Sequence, residues 1–165
     1  MNQTIVAQAS MGSPLGPLLL TATERGLAGV WFDADALDAC DAPLDPSQRH
    51  IAQASDELAR YFAHRLRLFT VALDPAGTEF QRAVWTELLG IEFGRTRSYA
   101  DIAHAVGAPK AVRAVGGAVG RNPLAVIVPC HRVIGSDGTL TGYAGGLDRK
   151  VKLLRLEGVL TEALV

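Results

Sequence analysis

The stretch Ser98-Tyr99-Ala100-Asp101-Ile102-Ala103-His104-Ala105-Val106-Gly107-Ala108-Pro109-Lys110-Ala111-Val112-Arg113-Ala114-Val115-Gly116-Gly117-Ala118-Val119 decides the fold of the second half of this chain. Ser98 and Asp101 have the spacing of a helix-capping box, with Asp in place of the usual Glu or Gln. Tyr99, Ile102, Ala103 and Val106 follow at helical spacing, and Gly107 supplies a stop. Pro109 suits a first helical residue, so a second helix is expected from there to about Val119. On that helix Val112, Val115, Gly116 and Val119 are expected to face inward, and Lys110, Arg113, Ala114 and Gly117 outward. A short, smooth face with one central arginine is what a helix needs to enter a DNA groove, and the pair of helices reads as a helix–turn–helix.

Downstream, Val126-Ile127-Val128 reads as an apolar strand leading into Pro129-Cys130-His131-Arg132-Val133. Pro129 fixes the backbone, so the Cys130 thiol is held at a rigid corner. A thiol reacts as its thiolate, and an adjacent imidazole is a common route to one. Further on, Leu147, Val151 and Leu154 form the expected inward stripe of a last helix, and Glu157 falls next on it. A carboxylate on a buried stripe is expensive unless it is paired, so a partner is expected.

Upstream, Thr78 is a plausible N-cap for a helix bearing Phe80, Val84, Trp85 and Leu88. The break at Asp74-Pro75-Ala76-Gly77 is taken as a domain boundary, giving domains 1–77 and 78–165. In the first domain Thr4–Ala9, Pro17–Thr23 and Leu27–Phe32 read as a meander of strands. A helix follows from Ser47 to about Arg65, with Leu68–Leu73 as a further strand. Residues 33–46 are acidic and suit an exposed connection.

Charge is divided along the chain. The net charge of −1 over 165 residues conceals five basic against nine acidic residues in 1–77. Residues 93–155 hold ten Lys/Arg against Asp101, Asp137 and Asp148, so this part is the one suited to a polyanion. The two cysteines, Cys40 and Cys130, show no CxxC or Cys/His spacing, so no metal and no disulfide framework is expected. With no basic and apolar leader and no membrane-length apolar run, the chain reads as cytoplasmic with reduced thiols.

From about residue 78 to 158 the ordered motifs resemble the O6-alkylguanine-DNA alkyltransferases, also called methylated-DNA–protein-cysteine methyltransferases. They are Thr78-Glu79-Phe80-Gln81 with Val84-Trp85, Gly94-Arg95-Thr96-Arg97-Ser98-Tyr99, Pro109 to Ala118, Asn122-Pro123, and Pro129 to Val133. Gly142-Tyr143-Ala144-Gly145-Gly146, Leu153-Leu154 and Glu157-Gly158 complete the set. The first 77 residues match in outline only. The resemblance implies an α+β fold: a small ribonuclease-H-like N-terminal domain and a mostly helical C-terminal domain with a helix–turn–helix.

The resemblance also implies direct reversal of DNA damage. A protein of this kind binds duplex DNA by the minor groove, turns the damaged guanine out of the stack and takes the alkyl group from O6 once, irreversibly; O4 of thymine is a further substrate it allows. Cys130 is then the nucleophile, His131 a base acting through a water, and Glu157 the group that orients His131. Tyr99 donates toward guanine N3, and Asn122 braces the cysteine segment. Arg113 enters the base stack, with Lys110, Ala114, Gly117, Ser98 and Ser136 also facing DNA. Val133, Tyr143, Ala144 and Gly145 line the alkyl pocket. Ala144 stands where other members have serine, and Ala125 where some carry a second proline, which would leave a roomier pocket. No cofactor is implied. The expected partner is duplex DNA containing O6-alkylguanine; the protein is expected to be a monomer, with cooperative assembly on DNA left open, and no membrane is involved.

Three other readings compete. Non-catalytic alkyltransferase-like proteins bind lesions but replace the motif cysteine, and Cys130 argues against that alternative. A thiol hydrolase would leave the basic helix–turn–helix unexplained. An adaptive-response regulator would carry a metal-binding cysteine cluster that is not in this sequence.

Overall fold

The computed structural model describes residues 3–32, 41–140 and 142–160, so Cys40 and the acidic residues Asp33, Asp35 and Asp38 lie outside the described residues. The chain divides into two compact units. One runs to Ala76 and includes Pro123–Ile127; the other comprises Gly77–Asn122 and the chain from Val128.

In the first unit, β1 (Ala7–Met11), β2 (Leu18–Ala22) and β3 (Leu27–Trp31) form an antiparallel sheet in that order. Every residue of β2 is buried, as suits a central strand. The helix α1 (Arg49–Phe62) lays Ile51, Ala54, Leu58 and Tyr61 on this sheet. Its cap is Gln48, whose side chain accepts from the amides of His50 and Ile51. Leu68–Leu73 does not form the expected strand. The amides of Thr70 and Val71 donate instead to the buried Glu57 carboxylate of α1, at 3.0 and 3.1 Å, so they are withdrawn from any ladder. Only Leu73 keeps a bridge, to Leu27.

Val126 and Ile127, expected in a strand, lie in a turn. The Ile127 amide donates to the Ala125 carbonyl at 2.8 Å, closing a three-residue turn around Val126 at φ +71°. This is the rare, strained hand of the γ-turn, and a buried β-branched residue pays for it. Pro123–Ala125 pairs with β3 through Val30, whose amide donates to Pro123 and whose carbonyl accepts from Ala125. A proline at position 125 would lack that donor.

The second unit is mostly helical. α2 (Glu79–Leu89) starts at a reciprocal capping box between Thr78 and Gln81. It buries Val84, Trp85 and Leu88, and Trp85 Nε1 donates to the Ala118 carbonyl at 2.8 Å. A two-residue strand β4 (Arg97–Ser98) leads into α3 (Tyr99–Ala105), and α4 (Val112–Gly120) packs against both α2 and α3. Gly107, at φ +77°, ends α3 in a conformation that costs other residues a Cβ clash. α4 begins at Val112, not at Pro109, which sits in the preceding turn. Its buried face is Val115, Ala118 and Val119. Val112 is exposed, because at the first turn it precedes the point where α4 meets α2 and α3. Lys110, Arg113, Ala114 and Gly117 are exposed as the spacing predicts.

The Ser98–Asp101 capping box is formed in both directions, at 2.9 and 3.0 Å. Ser98→Ala should lower the unfolding free energy by about 1 kcal/mol, the typical worth of such a cap. Urea denaturation measures it, and an unchanged midpoint would deny the cap that weight.

Candidate active site

Pro129 and Cys130 are set by a second γ-turn, of the relaxed hand. Pro129 lies at φ −81°, ψ 64°, and the Cys130 amide donates to the Val128 carbonyl at 2.8 Å. Val128, like Val126 and Ile127, is therefore in bent backbone rather than a strand. The same carbonyl accepts from Asn122 Nδ2 at 2.8 Å, so Asn122 ties this turn to the end of α4. Cys130–Arg132 form one turn of 3-10 helix, and β5 (Val133–Ile134) leaves it to pair in parallel with β4. That pairing sets Val133 opposite Arg97 and Ile134 opposite Ser98, beside the start of the helix that carries Tyr99.

α5 (Leu147–Leu156) packs on this turn. Its buried stripe is Lys150, Leu153, Leu154 and, just past its end, Glu157. The expected inward Leu147 is exposed at the first residue of the helix, and Val151 is half-buried. Glu157 has the partners its burial demands. His131 Nε2 lies 2.8 Å from Oε2, Arg132 Nε donates to Oε1 at 2.8 Å and Arg132 Nη2 donates to Oε2 at 2.9 Å. Burial alone would raise the Glu157 carboxyl, but the hydrogen bonds with His131 and Arg132 and the guanidinium charge of Arg132 override it and hold it at about 2.

An ionised carboxylate only accepts, so His131 Nε2 must carry the proton in that bond. Nδ1 is then a lone pair, buried and with no hydrogen-bond partner among the described residues. Burial depresses the basicity of His131 against the pull of Glu157, and Arg132 and Lys150 depress it further. The resting imidazole is neutral.

Cys130 is buried, and burial pushes its thiol up; the polar side chains of Asn122 and Tyr143 and the charge of Lys150 act in the opposite direction. The site thus holds a neutral thiol with three groups ready to favour its thiolate, beside a neutral imidazole with a free lone pair. Such a set can deprotonate a thiol at need and present it to an electrophilic carbon.

Of the other residues singled out from sequence, Val133 is buried, Tyr99, Asn122, Ser98, Tyr143 and Gly145 are half-buried, and Ala144 and Ser136 are exposed. Tyr143–Gly146 is a turn closed by the Gly146 amide on the Tyr143 carbonyl, at the entrance to α5. Sequence reasoning passed over two residues at this site. Arg132 fixes Glu157, and Lys150, wholly buried, donates from Nζ to the Val133 carbonyl at 2.7 Å. Both stand in a basic stretch that reads as surface. No helix among the described residues is long and apolar enough to cross a membrane.

Comparison with known proteins places these elements in context. Residues 6–75 match the family model for the ribonuclease-like domain of 6-O-methylguanine DNA methyltransferase, and residues 79–159 that for its DNA binding domain. A methylated-DNA–protein-cysteine methyltransferase of Methanosarcina acetivorans is 51% identical over 148 residues, covering 88% of this chain and 94% of that one. One from Mycobacterium leprae is 49% identical, covering 90% of each. A crystal structure of Mycobacterium tuberculosis OGT in complex with DNA aligns with a TM-score of 0.86 at 46% identity, covering 96% of this chain and 98% of that one.

Proposed function

The chain belongs to the 6-O-methylguanine DNA methyltransferase family, and from that premise we propose that it repairs duplex DNA by moving an alkyl group from guanine O6 to its own Cys130. The observation that carries this reading is the buried Cys130–His131–Glu157 set, with Nδ1 of His131 left as proton acceptor. The Cys130 proton passes through a water to Nδ1, and the imidazolium that forms is stabilised by Glu157. The sulfur then attacks the alkyl carbon; the S–C bond forms as the C–O6 bond breaks, and its electron pair leaves with guanine. Tyr99 donates toward N3 of the departing base. The thiol proton ends on guanine, so the product is a neutral base and a thioether. A thioether is not hydrolysed in water, so each molecule acts once.

The exposed face of α4, with Arg113 at its centre and Ala114 and Gly117 around it, is the DNA-reading surface, joined by Lys110 in the turn before the helix and by Ser98 and Ser136. Arg113 takes the place of the extruded nucleotide, a role suited to a planar, permanently charged group. The pocket is formed by Val133, Tyr143, Ala144 and Gly145, and Asn122 keeps the cysteine turn in register with α4. Residues 1–77 and 78–165 act as the supporting and the reacting domain. A nucleophile that must stay reduced supports a cytoplasmic location. The non-catalytic lesion-binding alternative is disfavoured by Cys130 itself and by the identity to relatives named as methyltransferases.

Restoration of a methylation-blocked restriction site in an O6-methylguanine duplex tests the reading. Cleavable product should plateau at one equivalent of protein; continued turnover, or none at all, would refute it. Arg113→Ala should slow repair of duplex on the order of tenfold or more, by removing about 1–3 kcal/mol of stacking support for the flipped state. Reaction with the free modified base should be unchanged, and equal losses on both substrates would deny Arg113 that role.

A further inference from the structure

Arg132 is a buried charged residue at the site that the reaction above leaves without a task. Its guanidinium is spent on three acceptors: both oxygens of Glu157 and, through Nη1, the carbonyl of Ile91 just past the end of α2. The Phe93 ring lies under it, 5.8 Å from Cζ. A bidentate bond of this kind fixes a carboxylate in plane and direction as a single contact cannot. It also neutralises Glu157 before His131 is considered. Without Arg132, the buried Glu157 anion would lose its guanidinium partner, and a carboxylate so placed draws a proton onto its imidazole partner.

We propose that Arg132 is a positioning residue for the base: by holding both oxygens of Glu157 it fixes the proton of His131 on Nε2 and keeps Nδ1 open to receive the Cys130 proton. The inference rests on the proposed role of His131. The charged groups acting on His131 are Glu157 and Lys150 from α5 and Arg132 beside it; the buried side chains of α2 are the apolar Val84, Trp85 and Leu88. Of these, Glu157 favours the imidazolium, while Arg132 and Lys150 oppose it. Removing Arg132 therefore tips His131 toward the protonated form, in which it cannot act as base.

The test is the pH profile of single-turnover methyl transfer for wild type and Arg132→Gln. The acid limb of the variant should move up by about one pH unit or more, so that its rate falls roughly tenfold on that limb and recovers as the pH rises past it. A parallel profile, lowered equally at every pH, would mean a structural role only and overturn the proposal. If the variant does not fold, nitrogen-15 shifts of His131 in the intact wild-type protein decide the matter. A neutral ring with its proton on Nε2 is expected through neutral pH; an imidazolium, or a proton on Nδ1, overturns the clamp. These shifts need no DNA and no transfer. A wild-type protein that shows the expected tautomer but repairs nothing would refute the proposed function and leave the clamp standing.

Discussion

Cys130→Ser should reduce alkyl transfer by on the order of 10³-fold or more, the scale of loss when the nucleophile is removed from residues that act as a unit. The argument is one of ionisation. A buried thiol is already pushed up in this site, with Asn122, Tyr143 and the charge of Lys150 acting against that burial. A serine hydroxyl starts several units less acidic, and the same groups cannot make up the difference. The oxygen is also smaller and harder, a poor match for displacement at an alkyl carbon. Binding should survive, because the side chain is buried and the exposed face of α4 is untouched. A gel-shift titration beside the transfer assay separates the two. Substantial transfer by the serine variant would remove Cys130 from its assigned role.

Glu157→Ala should be the most damaging change that leaves the nucleophile in place. It strands the Arg132 guanidinium, which is 6% exposed, without its carboxylate. Breaking a buried pair in this way costs about 3–5 kcal/mol. It also frees His131 to turn and change tautomer, so transfer by the folded fraction should fall by roughly 10²–10⁴-fold, the usual worth of a positioned base. The pH dependence gives the sign. The Glu157 carboxyl is held at about 2 in the folded protein against an ordinary 4.5. Its contribution is therefore fully present above 4.5 and is lost as pH falls from 4.5 toward 2. The shift corresponds to roughly 3 kcal/mol. Urea unfolding at neutral and at acid pH should show wild type losing stability between these values and Glu157→Ala losing markedly less. Equal losses in both proteins would show that Glu157 is not the group held down.

Much of this was legible in the amino-acid order because local chemistry and tertiary structure agree. Thr78 is an N-cap in sequence and in space, and Ser98 with Asp101 is a capping box in both. Glu157 is legible through the family resemblance, which its place on a buried helical stripe supports. Arg132 was not found, because its partner is 25 residues away and an arginine after a histidine reads as surface charge. Lys150 was hidden in the same way, amid Arg149 and Lys152. Val126-Ile127-Val128 misled for another reason. Three apolar residues in a row mean burial, and burial does not distinguish a strand from tandem tight turns. Pro109 suits a helix start, but Ala111 has no capping side chain and the helix waits for Val112. Thr70 and Val71 look like strand residues, yet Glu57 takes their amides first.

The assignment of Cys130 as acceptor is tested most directly by intact-protein mass after incubation with duplex DNA containing O6-methylguanine, followed by peptide mapping. One added methyl per molecule, located on Cys130 and absent when the duplex carries plain guanine, is the predicted result. An unmodified protein still bound to the lesion, or a methyl on any other residue, would contradict it.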